Sequence, residues 1–170
     1  GMGKNRRQRF CRGCYSQRHE SGLFRHGSDR QKESDMQEMT VRALMAKHPM
    51  AIKTGTELTE VVDALLQHKF TGLPVVDSQN KVVGFVSEQD CLRKLLISSY
   101  HCEGALVVED FMHDQPLTVK EDDSAVNVAE LMVTEKPKIY PVVDAQGILT
   151  GLLTREQVLR ALKDSRRGCD

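Results

Sequence analysis

The segment Leu73-Pro74-Val75-Val76-Asp77 returns as Tyr140-Pro141-Val142-Val143-Asp144, with the two prolines 67 positions apart. The same offset aligns Met45 with Met112, Pro49 with Pro116, Val61 with Val128, Gly84 with Gly151, Ser87 with Thr154 and Leu92-Arg93 with Leu159-Arg160. No gap interrupts this register. A spacing kept through helices, strands and turns alike means one supersecondary unit present twice, and such units fold by burying each other's apolar faces.

Each copy reads alike. In the first, Met50 to Ile52 predicts a short strand, and Thr56 is placed to cap a helix to about Lys69 with Leu58, Val61, Val62, Leu65 and Leu66 on one stripe. Leu73 to Val76 predicts a strand, Asp77 to Asn80 a turn, and Val82 to Val86 the returning strand. Ser87 then caps a second helix whose Leu92, Leu95 and Leu96 are expected to turn inward. The second copy repeats this with a strand at Val119, a helix from Ser124 to Thr134, strands at Ile139–Val143 and Ile148–Leu153, and a helix from Glu156 to about Asp164. Ile97 to Val107 reads as a connector that interrupts the helical stripe. Its Tyr100-His101-Cys102 lacks a carboxylate at a spacing that would orient a base, so it makes no catalytic site. The expected layout is an arm over 1–35, repeats over 36–97 and 108–165 joined by a connector at 98–107, and a tail at 166–170.

Met45-x3-Pro49, Leu73-Pro74-Val75-Val76-Asp77 and Gly84-Phe85-Val86-Ser87-x2-Asp90, with their partners Met112-x3-Pro116, Tyr140 to Asp144 and Gly151-Leu152-Leu153-Thr154, resemble the cystathionine-β-synthase (CBS) domain. The tandem is similar to the paired form called a Bateman module. That resemblance implies an α/β fold of two βαββα repeats related by a pseudo-twofold axis, sheets packed together and helices outside. It also implies two clefts between the repeats that commonly take adenine nucleotides.

Residues 1 to 35 carry nine Lys or Arg against four Asp or Glu, which leaves the rest of this neutral chain at minus five. With only Phe10, Leu23 and Phe24 as large aliphatic or phenyl side chains, this arm cannot build a core and is expected to be disordered. Gly1 ahead of Met2 reads as a purification remnant, and Met36 offers an alternative start. Cys11-x2-Cys14 with His19 and His26 offers four zinc ligands, but their spacing is short for a finger. Cys91, Cys102 and Cys169 follow no pairing pattern and read as reduced thiols. The cluster Lys4, Arg6, Arg7, Arg9 and Arg12 has general affinity for polyanions, yet no nucleic-acid reading element accompanies it. No run approaches membrane length and no secretory core is present, so the cytoplasm is the expected compartment.

The chemistry sits where each last helix begins. Ser87-Glu88-Gln89-Asp90 joins a hydroxyl and a carboxylate to the unpaired N–H groups of a helix start, which favour anions. By the family resemblance, Ser87 would approach a phosphate and Asp90 would grip ribose hydroxyls. The same Ser-x-x-Asp is also a capping box that needs no ligand. In the second copy Thr154, Arg155 and Gln157 stand in those places; Gln closes a capping box but accepts less strongly from a ribose. Arg155 and Lys138 fall near positions where family members carry phosphate-binding cations. The resemblance places Ile52, Leu73, Val75, Val119, Ile139, Tyr140 and Val142 on strands framing the clefts, each with packing as its alternative role. Tyr140, an amphipathic ring where the first copy has Leu73, is expected to stack on or edge a base. His48, His68 and His113 read as surface or locally satisfied residues.

No catalytic constellation emerges, and no cofactor is required. The leading expectation is a regulatory module that binds an adenine nucleotide of the AMP, ADP or ATP type and signals to an effector protein. The rivals are a ligand-free dimerisation scaffold, and a zinc or nucleic-acid adaptor working through Cys11 and Cys14. A homodimer is expected because Leu65, Leu92, Leu131 and Leu159 exceed what one core should need.

Overall fold

The computed structural model describes residues 38–101, 104–135 and 137–166. Along these the chain runs α1 (Val41–Leu44), β1 (Ile52–Lys53), α2 (Leu58–His68), β2 (Gly72–Val76), β3 (Val82–Ser87) and α3 (Glu88–His101). After a 3-10 turn at Val108–Asp110 come β4 (Val119–Lys120), α4 (Ala125–Thr134), β5 (Ile139–Val143), β6 (Leu149–Thr154) and α5 (Arg155–Ser165). The architecture is the α/β pair of repeats that the sequence predicts. Each repeat carries a three-stranded sheet, β1-β2-β3 or β4-β5-β6, with its first pair parallel and its second antiparallel. Even the register slip recurs, at Val75/Val76 and at Val142/Val143.

The hairpins turn on aspartate. Asp77 Oδ1 accepts from the N–H groups of Gln79 (2.9 Å) and Lys81 (3.0 Å), and Asp144 Oδ1 from Gln146 (2.8 Å) and Ile148 (3.0 Å). Each is an Asx-type turn, in which the side chain replaces a missing backbone bond. The tips then meet: Leu149 N–H donates to Asn80 O (3.0 Å) and Val82 N–H to Gly147 O (3.1 Å).

At the other end the repeats exchange their lead-in segments. Ala46, ahead of the first repeat, bridges to Leu152 of the second, while His113, ahead of the second, bridges to Phe85 of the first. Thr40 likewise bridges to Ser124, and Val107 to Glu57. Val41 is fully buried in the second repeat's core, and its counterpart Val108 is fully buried in the first. Arg42 clasps Glu121 and Asp122 across the same junction, at 3.0 and 2.9 Å. Gly84 and Gly151 make the close approach possible. A Cβ on Gly84 would strike the Met112 sulfur and lie 2.7 Å from the His113 carbonyl; one on Gly151 would meet Met45 and the Ala46 carbonyl. Residues 40–46 and 107–113 therefore complete the partner repeat and not the one they precede in sequence.

Several local expectations are corrected. The first strand is Ile52–Lys53, shifted toward the turn at Gly55. Thr56 does not cap α2: its Oγ1 donates to Lys53 O at 2.6 Å, and Glu57 takes the N-cap position. Helix α3 runs on to His101, because Ser98 and Ser99 turn their hydroxyls back onto the Leu95 carbonyl and stay helical. Leu92 and Leu96 do not turn inward but stand exposed, at 60% and 57%; Cys91 faces the core in their place.

Gly84→Ala tests the exchange. Overpacking against a backbone carbonyl and a sulfur should cost about 1–3 kcal/mol, read as a lower urea midpoint. Ala at Gly104, where a Cβ meets nothing within 4 Å, should leave the midpoint close to the parent's.

Candidate functional site

Both last helices open with a closed capping box, and the two boxes differ in what they leave over. In the first, Asp90 Oδ2 accepts from the Ser87 N–H (2.9 Å) and the Ser87 hydroxyl (2.8 Å), and Asp90 N–H donates to Ser87 Oγ (3.3 Å). In the second, Thr154 N–H donates to Gln157 Oε1 (2.8 Å) and Gln157 N–H to Thr154 Oγ1 (3.3 Å). The capping role expected of these motifs is thus realised twice. Only Asp90 has a second carboxylate oxygen to spare.

That oxygen, Oδ1, lies 3.6 Å from the Arg93 guanidinium and 3.5 Å from His113 Nε2. Asp90 is the only charged residue buried among the described residues, at 5% exposure, whereas the Arg93 and His113 side chains are about two-thirds exposed. Two loose, solvent-facing partners thus screen one oxygen of a buried carboxylate. His113 reaches it because the exchanged lead-in segment pairs with β3: Phe85 N–H donates to His113 O (2.9 Å) and His113 N–H to Phe85 O (2.8 Å).

The other side of His113 borders a cleft of about 240 Å³ between the repeats, lined also by Phe85, Gln115, Pro116, Leu117, Pro137 and Ile139. Its walls are largely apolar, with a ring, two prolines and two aliphatic side chains, which suits a flat heterocycle. The second repeat instead presents an open groove of about 470 Å³ between α1 and α5, lined by Ala43, Leu44, Thr154, Glu156, Gln157, Arg160, Ala161 and Asp164. Arg160 there is held by Glu156 at 2.7 Å. Arg155 and Lys138 meet through the backbone, Arg155 N–H donating to Lys138 O at 2.9 Å, and neither lines that groove.

Of the seven apolar positions assigned to the cleft walls, Ile139 alone lines the cleft. Leu73, Val75, Tyr140 and Val142 are fully buried beneath the helices, and Ile52 and Val119 are nearly so, each packed in a helix-side core. The reason is strand alternation: Ile139 and Tyr140 are neighbours on β5, so their side chains leave by opposite faces. Tyr140, expected to stack on or edge a base, is instead packed in the second core and lines no part of this cleft. Its Oη is buried and, among the described residues, finds no hydrogen-bond partner. Burial pushes the phenol's pKa up, Glu135 adds to this and Arg155 opposes it. His113, expected as a surface or locally satisfied residue, is exposed and also reaches Asp90 and the cleft. Its signal in the sequence is the internal comparison: 67 positions earlier stands Ala46, just as Gln157 stands where Asp90 does.

Cys91 is a buried free thiol, raised to about 11 by burial and by the Asp90 and Glu88 carboxylates. Cys11, Cys14, His19, His26, Cys102 and Cys169 lie outside the described residues. Among the described residues no cluster of His, Cys, Asp or Glu could hold a metal, and no helix is long and apolar enough to cross a membrane.

A family model described as CBS domain matches residues 41–97 and again 108–164. CBS domain-containing protein CBSX2, chloroplastic, of Arabidopsis thaliana is 30% identical over 145 residues, covering 68% of this chain and 59% of its own length. The chain thus spans about three-fifths of that relative. Uncharacterized protein MJ1426 of Methanocaldococcus jannaschii is 27% identical over 73% of this chain and 91% of its own. Among solved structures, CBSX2 in complex with AMP superimposes with a TM-score of 0.66 at 34% identity, over 75% of this chain and 98% of that one. The CBS domain pair of protein MJ0100, in complex with 5-methylthioadenosine and S-adenosyl-L-methionine, gives 0.65 at 25% identity, over 74% and 97%.

The buried phenol and thiol make an alkaline prediction. Both are raised above their ordinary values of 10.0 and 9.0, so the folded state favours their neutral forms. Their contribution to stability is complete below about pH 9 and is lost as pH rises through about 11 and beyond. Tyr140→Phe removes one of the two groups and an unpaired hydroxyl, so it should hold or raise stability by about 1 kcal/mol at neutral pH. Urea denaturation of parent and variant at pH 7 and pH 10.5 reads both effects.

Proposed function

The chain belongs to the CBS domain family, and from that premise we propose that it is a regulatory module, not an enzyme. It binds an adenine nucleotide in the cleft bordered by His113 and Ile139 and passes the bound state to a partner. The observation that carries this reading is the spare Oδ1 of Asp90: a buried carboxylate oxygen with only long, exposed partners, one of which, His113, lines the apolar cleft. Ribose hydroxyls supply the short neutral donors that this oxygen lacks. The AMP complex of CBSX2 and the two adenosyl ligands of the MJ0100 pair support the ligand class. Ser87, at a helix start that favours anions, is assigned to the phosphate side, its hydroxyl turning there from Asp90 Oδ2 when ligand binds. Thr154, Arg155, Gln157 and Lys138 form a weaker second site, because Gln157 Oε1 is already committed to the Thr154 N–H. One tight site per chain follows, and the cytoplasm stays the proposed compartment; the chloroplastic label belongs to the Arabidopsis relative.

A homodimer is part of the proposal, through a revised set of residues. Leu65 is buried within its own repeat and Leu131 packs on the second core, so neither is spare. The exposed apolar positions on the helices include Leu66, Leu92 and Leu96 in the first repeat and Val133 and Leu159 in the second. Leu66 corresponds to Val133, and Leu92 to Leu159, at the repeat offset. Two equivalent faces on one chain suit pairing with a second copy about a twofold axis. Between α2 and α3 lies a largely apolar groove of about 210 Å³, lined by Val62, Leu65, Leu66, Glu88, Cys91, Leu92 and Leu95.

Two measurements test these readings. Asp90→Asn keeps a capping oxygen but replaces the ribose acceptor, so calorimetry with AMP should show about a tenfold to hundredfold weaker dissociation constant with little change in melting temperature. Unchanged AMP binding with a clearly lower melting temperature would make Asp90 a cap alone, and a parent that binds no AMP would favour the ligand-free scaffold. Leu92→Asp should shift the protein from dimer to monomer in light scattering at micromolar concentration, and a monomeric parent would sink the dimer.

A further inference from the structure

Arg93 and His113 both face Asp90 Oδ1, and His113 also lines the cleft, for a reason that capping does not supply. The Asp90 cap is complete through Oδ2 alone, with bonds of 2.8 and 2.9 Å, whereas both cation contacts to Oδ1 are long. A carboxylate that needed them for burial would draw them closer, since charge-assisted N–H···O bonds settle near 2.7–2.9 Å. The second repeat removes the carboxylate and the imidazole together: Gln157 stands for Asp90 and Ala46 for His113, while Arg160 keeps the place of Arg93 but is held by Glu156. The imidazole thus goes with the carboxylate.

We propose that His113, assisted by Arg93, is a specificity residue that makes this cleft select nucleosides bearing an anion next to the ribose. It discriminates against the uncharged nucleoside and against one bearing a cationic sulfonium there. The inference rests on the nucleotide reading of the cleft given above. Without ligand, the two donors are parked on Asp90 Oδ1. When ribose hydroxyls take that oxygen, the donors are released beside Asp90, His113 at the cleft wall, and turn to the neighbouring phosphate. An imidazole N–H donates to a phosphate oxygen in its neutral and in its charged form, and the guanidinium adds a fixed positive charge. The exposure of both side chains leaves them free to make this move, and the backbone of His113 stays anchored on Phe85. One residue of the exchanged lead-in segment thereby reads the ligand's charge.

Calorimetry with AMP, adenosine and S-adenosylmethionine on the full chain tests this, using the parent, His113→Ala and His113→Gln. The parent should bind AMP more tightly than the other two. His113→Ala should weaken AMP about threefold to tenfold, within the range of a hydrogen bond to a charged group at an exposed site, and shift adenosine less than twofold. His113→Gln, which keeps an N–H donor, should recover part of the loss and provides the readout should the alanine variant fold poorly. Equal losses for AMP and adenosine, or no loss for either, would overturn the assignment of His113. A parent that binds adenosine as tightly as AMP overturns the charge selectivity and leaves the nucleotide reading standing; a parent that binds none of the three overturns both.

Discussion

Two backbone pairings, His113 on Phe85 and Ala46 on Leu152, tie each repeat's lead-in segment to the opposite sheet. The edges, the cores and the cleft all depend on them. An edge strand with unpaired N–H and C=O groups is a liability, and here the partner repeat covers it. The lead-in also brings a core residue, Val41 or Val108, so covering the edge and filling the core are one event. The glycines at 84 and 151 hold no side chain because a methionine sulfur and a carbonyl occupy that space. The cleft is a product of the same exchange, since His113, Gln115, Pro116 and Leu117 arrive on the lead-in segment and Phe85 waits on the sheet that receives it.

On this symmetric frame the two helix starts carry unequal chemistry. A capping box asks for one acceptor three residues after the cap, and Asp and Gln satisfy it equally. The difference lies in the remaining atom of each side chain. Gln157 has an amide nitrogen left over and Asp90 a second anionic oxygen, so only the first repeat combines a structural cap with an unspent acceptor. The cap uses Oδ2 alone, so the proposed ribose contact at Oδ1 would not compete with the helix start.

Much of this architecture is legible in the sequence. The fixed offset exposes the duplication, turn chemistry locates the aspartate-led hairpins, and the helix starts at Ser87 and Thr154 fall where their capping boxes place them. The parts that stay hidden do so for physical reasons. A strand covered on both faces shows no alternation, so all five residues of β2 and of β5 are buried and the sequence does not say which of Ile139 and Tyr140 meets the cleft. The lead-in segments align with each other at the offset, but an offset cannot tell which sheet receives them. Leu92 and Leu96 read as core because a stripe of leucines on a helix looks the same whether it packs within the chain or stands outside it. Ser98 and Ser99 read as a break because their helical alternative, a back-bond to Leu95, depends on a rotamer and not on composition.

The reciprocity of the exchange has a consequence for chain architecture. A single repeat together with its own lead-in cannot satisfy itself, but it holds everything that a twin of itself lacks: the segment to cover an edge, the valine to fill a core and the glycine to receive a sulfur. The 170-residue chain is in this respect a tethered pair of half-molecules. The stretch after α3 acts as the tether, raising the local concentration of each half for the other so that assembly does not depend on how much protein is present. Covalent linkage in turn frees the halves from being identical, and so one of them can keep Asp90 and His113 while the other gives them up.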